Sequence, residues 1–180
     1  GKPDDELLGA RAAYAARTGD KALMREAYQA LVALPLPAPD ARIELLGQMA
    51  ELIGAKGEAI DWYGKVPRGD QYIDSQLRIA VLLDDKGDTA GARDQRRALR
   101  AEGIEDDAQL VDTYLLEAEL ASKRGRQEDA VDVLRRGLEV LPDNQRLLYA
   151  RALVYERMDR VEEALRDDIQ AMASETRQSV

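Results

Sequence analysis

Small and apolar residues recur along this chain in one figure: an anchor, a break seven positions later, and a second anchor five beyond that. The five instances are Ala12–Gly19–Met24, Gly47–Gly54–Ala59, Ala80–Gly87–Ala92, Ala118–Gly125–Ala130 and Ala152–Asp159–Ala164. Successive first anchors lie 35, 33, 38 and 34 residues apart. A period near 34 with this internal spacing marks a helix–turn–helix repeat, a unit that cannot bury its apolar face alone. Charged residues of both signs fill the remaining positions, as on the solvated faces of amphipathic helices.

The pattern predicts ten helices. The first runs over about 5–18, with Asp4 or Asp5 as N-cap and Gly19 as its stop. The second covers about 21–34 and ends at Pro35, Pro37 and Pro39. Helix three spans about 41–53, and a short helix four, about 58–66, ends at Pro67. Helices five and six cover about 70–86 and 89–102. Helix seven, about 107–124, opens with Asp106 and Gln109 at capping-box spacing. Helix eight, about 127–141, stops before Pro142. The last two cover about 144–158 and 161–173. Short connections make neighbouring helices antiparallel.

The 38-residue interval sets helix six apart. Its main apolar candidates are Ala92, Ala98 and Leu99, and a longer connection through Gly103 follows. Weak packing and a hinge are expected there.

Composition narrows the chemistry. Hydrophobic residues make up 45% of the chain but aromatics only 4%, with no Phe, so Ala and Leu must do most of the packing. The net charge is −9, spread along the chain: residues 1–90 carry 11 basic and 15 acidic side chains, residues 91–180 carry 15 and 20. Without a segregated basic region, nucleic acid is not an expected partner. There is no Cys and no His. That removes disulfides, thiolate metal sites, Ser–His and Cys–His catalysis and the common zinc sites. No apolar run is long enough to span a membrane. The chain opens Gly1-Lys2-Pro3-Asp4-Asp5 without a signal peptide and enters a helix at once, the start expected of a piece excised from a longer protein.

The run from Gly125 through Ala130, Leu134 and Gly137 to Pro142 resembles the second half of the tetratricopeptide repeat (TPR), and Ala152, Tyr155, Ala164 and Ala171 supply the corresponding positions next door. Leu46-Gly47 with Ala59 and Tyr63 fits the second repeat. Met24, Arg96, Asp159 and Asp168 depart from the pattern. The resemblance covers nearly the whole chain. It implies an all-α, right-handed α-solenoid of about five TPR-like repeats over residues 1–174, with 175–180 as a polar tail. Three runs, Glu58–Val66, Gln76–Ala80 and Leu147–Arg157, look more narrowly like the bacterial outer-membrane TPR lipoprotein that partners the carboxyl-terminal processing protease. That family implies a periplasmic adaptor, anchored at the outer membrane in the parent protein, that brings cell-wall hydrolases to the protease. A cytoplasmic TPR scaffold with unrelated partners is the alternative.

The TPR resemblance places Glu44, Gln48 and Glu51; Leu77, Val81 and Asp84; Leu115 and Glu119; and Tyr149, Leu153 and Glu156 along an inner groove. Apolar groups beside carboxylates would suit a peptide with apolar and basic side chains; the same apolar residues could equally pack between repeats. The Lys/Asn/Arg clamp by which some TPR proteins hold a terminal carboxylate is absent at the matching positions.

Outside the groove, Arg93, Arg96, Arg97 and Arg100 share one face of helix six by spacing, either a basic stripe for an acidic partner or a solvated face. Trp62 is either an exposed anchor or core. The acid pairs Asp84-Asp85, Asp106-Asp107 and Asp167-Asp168 lack a calcium-loop pattern, so no metal is expected, nor any cofactor. Carboxylate catalysis would need an enclosed pocket that a thin solenoid rarely offers. The expectation is a non-catalytic scaffold for protein partners, with self-association through uncapped ends.

Overall fold

The computed structural model describes residues 4–34 and 40–178. Among these the chain forms ten α-helices and no strand. They are α1 (Asp4–Thr18), α2 (Lys21–Val32), α3 (Asp40–Leu52), α4 (Lys56–Tyr63), α5 (Tyr72–Asp85), α6 (Thr89–Ala101), α7 (Asp107–Lys123), α8 (Gln127–Val140), α9 (Gln145–Arg157) and α10 (Val161–Gln178). The expected stop at Pro35, Pro37 and Pro39 lies outside the described residues.

All five breaks of the repeat figure adopt positive φ: Gly19, Gly54, Gly87, Gly125 and, in the last repeat, Asp159 at 59°. A left-handed residue just past a helix turns the chain back, and in each case the next N–H donates to a carbonyl five residues earlier. The bonds are Asp20 to Ala15, Ala55 to Ala50, Asp88 to Leu83, Arg126 to Ala121 and Arg160 to Tyr155, all 2.8–3.0 Å. This is the six-to-one bond of a Schellman-type stop, which satisfies a carbonyl the helix end would otherwise orphan.

The anchors on either side of the break are buried in every repeat, Met24 included. Small residues at these points let paired helices approach closely. At Gly47 the approach is closest, because a Cβ there would lie 2.8 Å from the Tyr63 ring. Side chains cap three of the helix starts: Asp106, as its spacing to Gln109 suggests, accepts from the Gln109 N–H, Asp20 accepts from those of Ala22 and Leu23, and Asn144 from that of Leu147.

The chain divides into two compact units, residues 1–95 and 96–180, with the division inside α6. In the first unit, α1 pairs with α2 and α3 with α4, and α5 packs on α4. Their core gathers Met24, Tyr28, Leu31, Leu46, Met49, Tyr63 and Leu82. In the second unit, α7 pairs with α8 and α9 with α10, and α8 also packs on α9. Its core is built on Val111, Leu134, Leu138, Leu147, Leu148 and Val154.

Two expectations are corrected here. Helix ten does not stop at Ala173 but continues to Gln178. Ser174 is buried, and its hydroxyl donates to the Gln170 carbonyl one turn back, so this polar segment stays helical. The arginines of α6 do not form one solvated face. Arg93 and Arg97 are exposed, but Arg96 is 3% exposed and the Arg100 guanidinium is ion-paired with buried Glu117 and lies 4.5 Å over the Tyr114 ring. Helix six compensates for its scarcity of large apolar residues by burying arginine.

Asp159→Gly should raise stability by up to about 1 kcal/mol, because an L-residue with a Cβ is disfavoured in the left-handed region. Gly47→Ala should lower it by about 1–3 kcal/mol through overpacking against Tyr63. Gly9→Ala has open space and should stabilise α1 by up to about 1 kcal/mol. Urea unfolding midpoints of the three variants check both the signs and the order.

Candidate functional site

Counting from each first anchor, the groove candidates occupy positions −3, +1 and +4 of the first helix of a pair. Those positions share one helix face. In α3 they are Glu44, Gln48 and Glu51, and the structure brings all three to one open cleft of about 470 Å³. Leu52, Tyr63, Asp74, Ser75 and Arg78 complete its lining.

The cleft is a hydrogen-bonded acidic surface. Gln48 Nε2 donates to Glu44 Oε1 at 2.9 Å, and Tyr63 Oη to Glu51 Oε2 at 3.1 Å. Arg78 of α5 reaches back to Glu51, its Nε 3.2 Å from Oε2 and its terminal nitrogen paired with the other oxygen. One base thus stands among three carboxylates, Glu44, Glu51 and Asp74. Burial pushes the Tyr63 phenol up to about 12, and the charge of Glu44 adds to the rise. The arrangement favours a cation entering from solvent.

Other candidates fall differently. Leu77 and Val81 are half-buried on α5, while Asp84 is buried. Leu115 packs partly against the second core, and Glu119 is exposed one turn on. On α9, Tyr149, Leu153 and Glu156 are exposed together and make an apolar face with an acidic end. The candidate positions therefore give an acidic cleft in the first unit and an exposed aromatic–aliphatic face in the second.

Trp62 is neither a free anchor nor full core. It is half-buried against the first core, its Nε1 donates to Tyr28 Oη at 3.0 Å, and Lys65 Nζ lies 4.1 Å over its ring. The Tyr28 hydroxyl in turn donates to Glu58. Burial and that bond raise the Tyr28 phenol to about 12. Tyr28 and Glu58 line a second cleft of about 470 Å³, with Arg25, Gln29, Val32, Ile53, Gly54 and Ala55.

Asp74 and Arg78 were not singled out from the sequence. They sit at positions −6 and −2 of the next repeat, one turn apart on α5, and both line the cleft. The repeat frame carried that signal. In two of the acid pairs one member serves a structural end: Asp106 caps α7, and buried Asp167 accepts two bonds from Arg151, at 2.8 and 2.7 Å. Among the described residues, no cluster of three or more acidic side chains is arranged as a metal site, and no helix is long and apolar enough to cross a membrane.

No protein-family model matches the chain. Over 112 residues it is 32% identical to the TPR repeat-containing protein PA4667 of Pseudomonas aeruginosa, a stretch that is 62% of this chain and 18% of that protein. Crystal structures of MamA share the fold. One superposes with a TM-score of 0.58 at 18% identity, covering 92% of this chain and 95% of MamA. MamA 41-end from Desulfovibrio magneticus RS-1 gives 0.59 at 15%, covering 99% and 98%. TPR-like repeats assigned to a kinesin light chain of Podospora anserina give 0.61 at 17%, covering 96% of each chain. The fold is an all-α helical-repeat fold of the α-solenoid class. More narrowly, its fold is that of the TPR-like repeat structures it superposes on.

Both buried phenols ionise late, so the protection they confer is complete below pH 10. It is lost as the pH rises from 10 through about 12, where the unfolded chain releases protons that the folded chain retains. Alkaline titration of phenolate absorbance should show two of the seven tyrosines lagging. Tyr63→Phe together with Tyr28→Phe should abolish the lag.

Proposed function

We propose that this chain is part of a non-catalytic protein-interaction scaffold whose first unit receives a basic segment of a partner. The TPR-type fold supports a protein-binding role, and the observation that carries the reading is the cleft of Glu44, Glu51 and Asp74 with Arg78 as its single base. A lysine or arginine entering it would meet carboxylates already oriented by Gln48 and Tyr63, which lowers the ordering cost of binding. Apolar side chains of a partner would find a counterpart in Tyr149 and Leu153 of α9. Spread over several repeats, such recognition depends on no single residue.

The partner this reading favours is a carboxyl-terminal processing protease, with cell-wall hydrolases as the substrates presented to it. The parent protein would then be a periplasmic adaptor anchored at the outer membrane. Support comes from the runs Glu58–Val66, Gln76–Ala80 and Leu147–Arg157. The chain spans 18% of the length of its TPR relative, so these partners are proposed for the parent protein.

Capture of purified protease and of a hydrolase on immobilised chain tests the proposal. Glu44→Lys with Asp74→Lys should weaken capture of at least one of them tenfold or more, and raised salt should weaken it in the parent chain too. Asp84 is left alone because it is buried. Undiminished capture of both by the variant would discard the cleft. Failure of the unaltered chain to hold either would discard the adaptor role.

A further inference from the structure

The buried serine and threonine hydroxyls of the described residues have hydrogen-bond partners, with one exception. Thr113 donates to the Leu110 carbonyl at 2.7 Å, Ser122 to Gln127 Oε1 at 2.7 Å and Ser174 to the Gln170 carbonyl at 3.1 Å. Ser75 of α5 is only 2% exposed, yet its hydroxyl has no partner among the described residues. Serine inside a helix commonly bonds to the carbonyl one turn back. Thr18, Ser174 and Thr176 do so here. At Ser75 that carbonyl, of Gln71, receives the backbone N–H at 3.0 Å and not the side chain. A buried hydroxyl left unpaired costs stability, and this one lines the acidic cleft.

The rest of that lining shows what the hydroxyl lacks. Glu44 of α3 accepts from Gln48 through one oxygen, and exposed Asp74 of α5 has no ion pair among the described residues. Carboxylates only accept, and a serine Oγ can accept as well. The donors of the cleft are engaged elsewhere, Gln48 with Glu44, and Tyr63 and Arg78 with Glu51. Arg78 also shows what the cleft can seat. It reaches from α5 to α3 with one guanidinium edge, Nε and a terminal nitrogen, against the two oxygens of Glu51. One turn before it on α5, Asp74 and Ser75 face the same cleft with no such group. Helices precede and follow both α3 and α5 in the chain, so the cleft does not arise from a chain end.

We propose that Glu44, Asp74 and Ser75 form a subsite for an arginine side chain of the partner, seated beside Arg78. The proposal rests on the reading of the first unit as the receiver of a basic segment, and it names the residue selected. The incoming guanidinium sets its fork on a carboxylate, as Arg78 does on Glu51, and gives a remaining N–H to Ser75 Oγ. Lysine fits less well. Its compact ammonium has three donors and holds water tightly, whereas the guanidinium offers five in a planar fork and is more weakly hydrated. The carboxylates attract both cations, so Ser75 is the group that separates them.

NMR titration of the full chain with two capped pentapeptides, Gly-Gly-Arg-Gly-Gly and Gly-Gly-Lys-Gly-Gly, tests it. The arginine peptide should shift the amides of Glu44, Gln48, Asp74 and Ser75. It should bind about tenfold more tightly than the lysine peptide, the worth of one hydrogen bond to a charged group. Ser75→Ala should weaken arginine binding by about the same factor and leave lysine binding unchanged. Removing an unpaired buried hydroxyl should leave the urea midpoint equal or higher, so the lost binding is not lost folding. Asp74→Asn, at an exposed position, should weaken both peptides.

Equal affinity for the two peptides would overturn the proposal, and so would a Ser75→Ala chain that still prefers arginine. Either result leaves the basic-segment reading standing. Cleft amides that stay unshifted with both peptides up to about 10 mM, past the weak end of specific association, would overturn it too. The reading itself fails by a different result, undiminished capture of protease and hydrolase by the variant with Glu44→Lys and Asp74→Lys.

Discussion

Everything in this molecule follows from a left-handed residue placed between two buried anchors. Turning the chain at that point reverses its direction within three residues, and the bond from the next N–H to a carbonyl five residues earlier closes the helix end without water. The anchors before and after the turn then face one another. Because they are mostly Ala or Gly, the helices approach until larger neighbours such as Leu46, Leu82, Leu134 and Tyr63 fill the core. The constraint acts on the backbone, and so Asp159 can stand in for glycine and Met24 for alanine without loss of the turn.

A core poor in aromatics and rich in alanine leaves room for polar groups, and the chain uses it. Arg151 and Asp167 join α9 to α10 through two bonds in a largely buried pair, and Arg100 with Glu117 joins α6 to α7. Such pairs contribute little net stability compared with apolar packing of the same shape, but removing one partner leaves a buried charge. They therefore specify which helices meet more than how firmly. The arginines of α6 show the cost of reading charge by spacing alone, since Arg93 and Arg97 face solvent while Arg96 does not.

The same repeat positions serve different ends as the residues on them change. At −3, +1 and +4 the first unit carries Glu44, Gln48 and Glu51, which with Asp74 and Arg78 make an acidic cleft. In the last repeat those positions carry Tyr149, Leu153 and Glu156, an exposed apolar face with an acidic end. A scaffold built this way varies its surface chemistry repeat by repeat while its turns stay constant.

The helices and their breaks were legible in the residues, because turn geometry and helix capping are local. Gly125 and Asp106 announce their roles from neighbours within a few positions. That Glu44, Gln48 and Glu51 share one face of α3 was legible too, through their spacing. What could not be read was which side of a helix a neighbour would cover. The burial of Arg96, the half-burial of Trp62, the part of Arg78 in the cleft and the extension of α10 past Ala173 all depend on contacts from distant residues. Periodicity by itself determined the class of fold and the places where the chain turns. Tertiary packing decided which charged groups are enclosed and which apolar ones are left open, since burial belongs to a pair of surfaces and not to one stretch of chain.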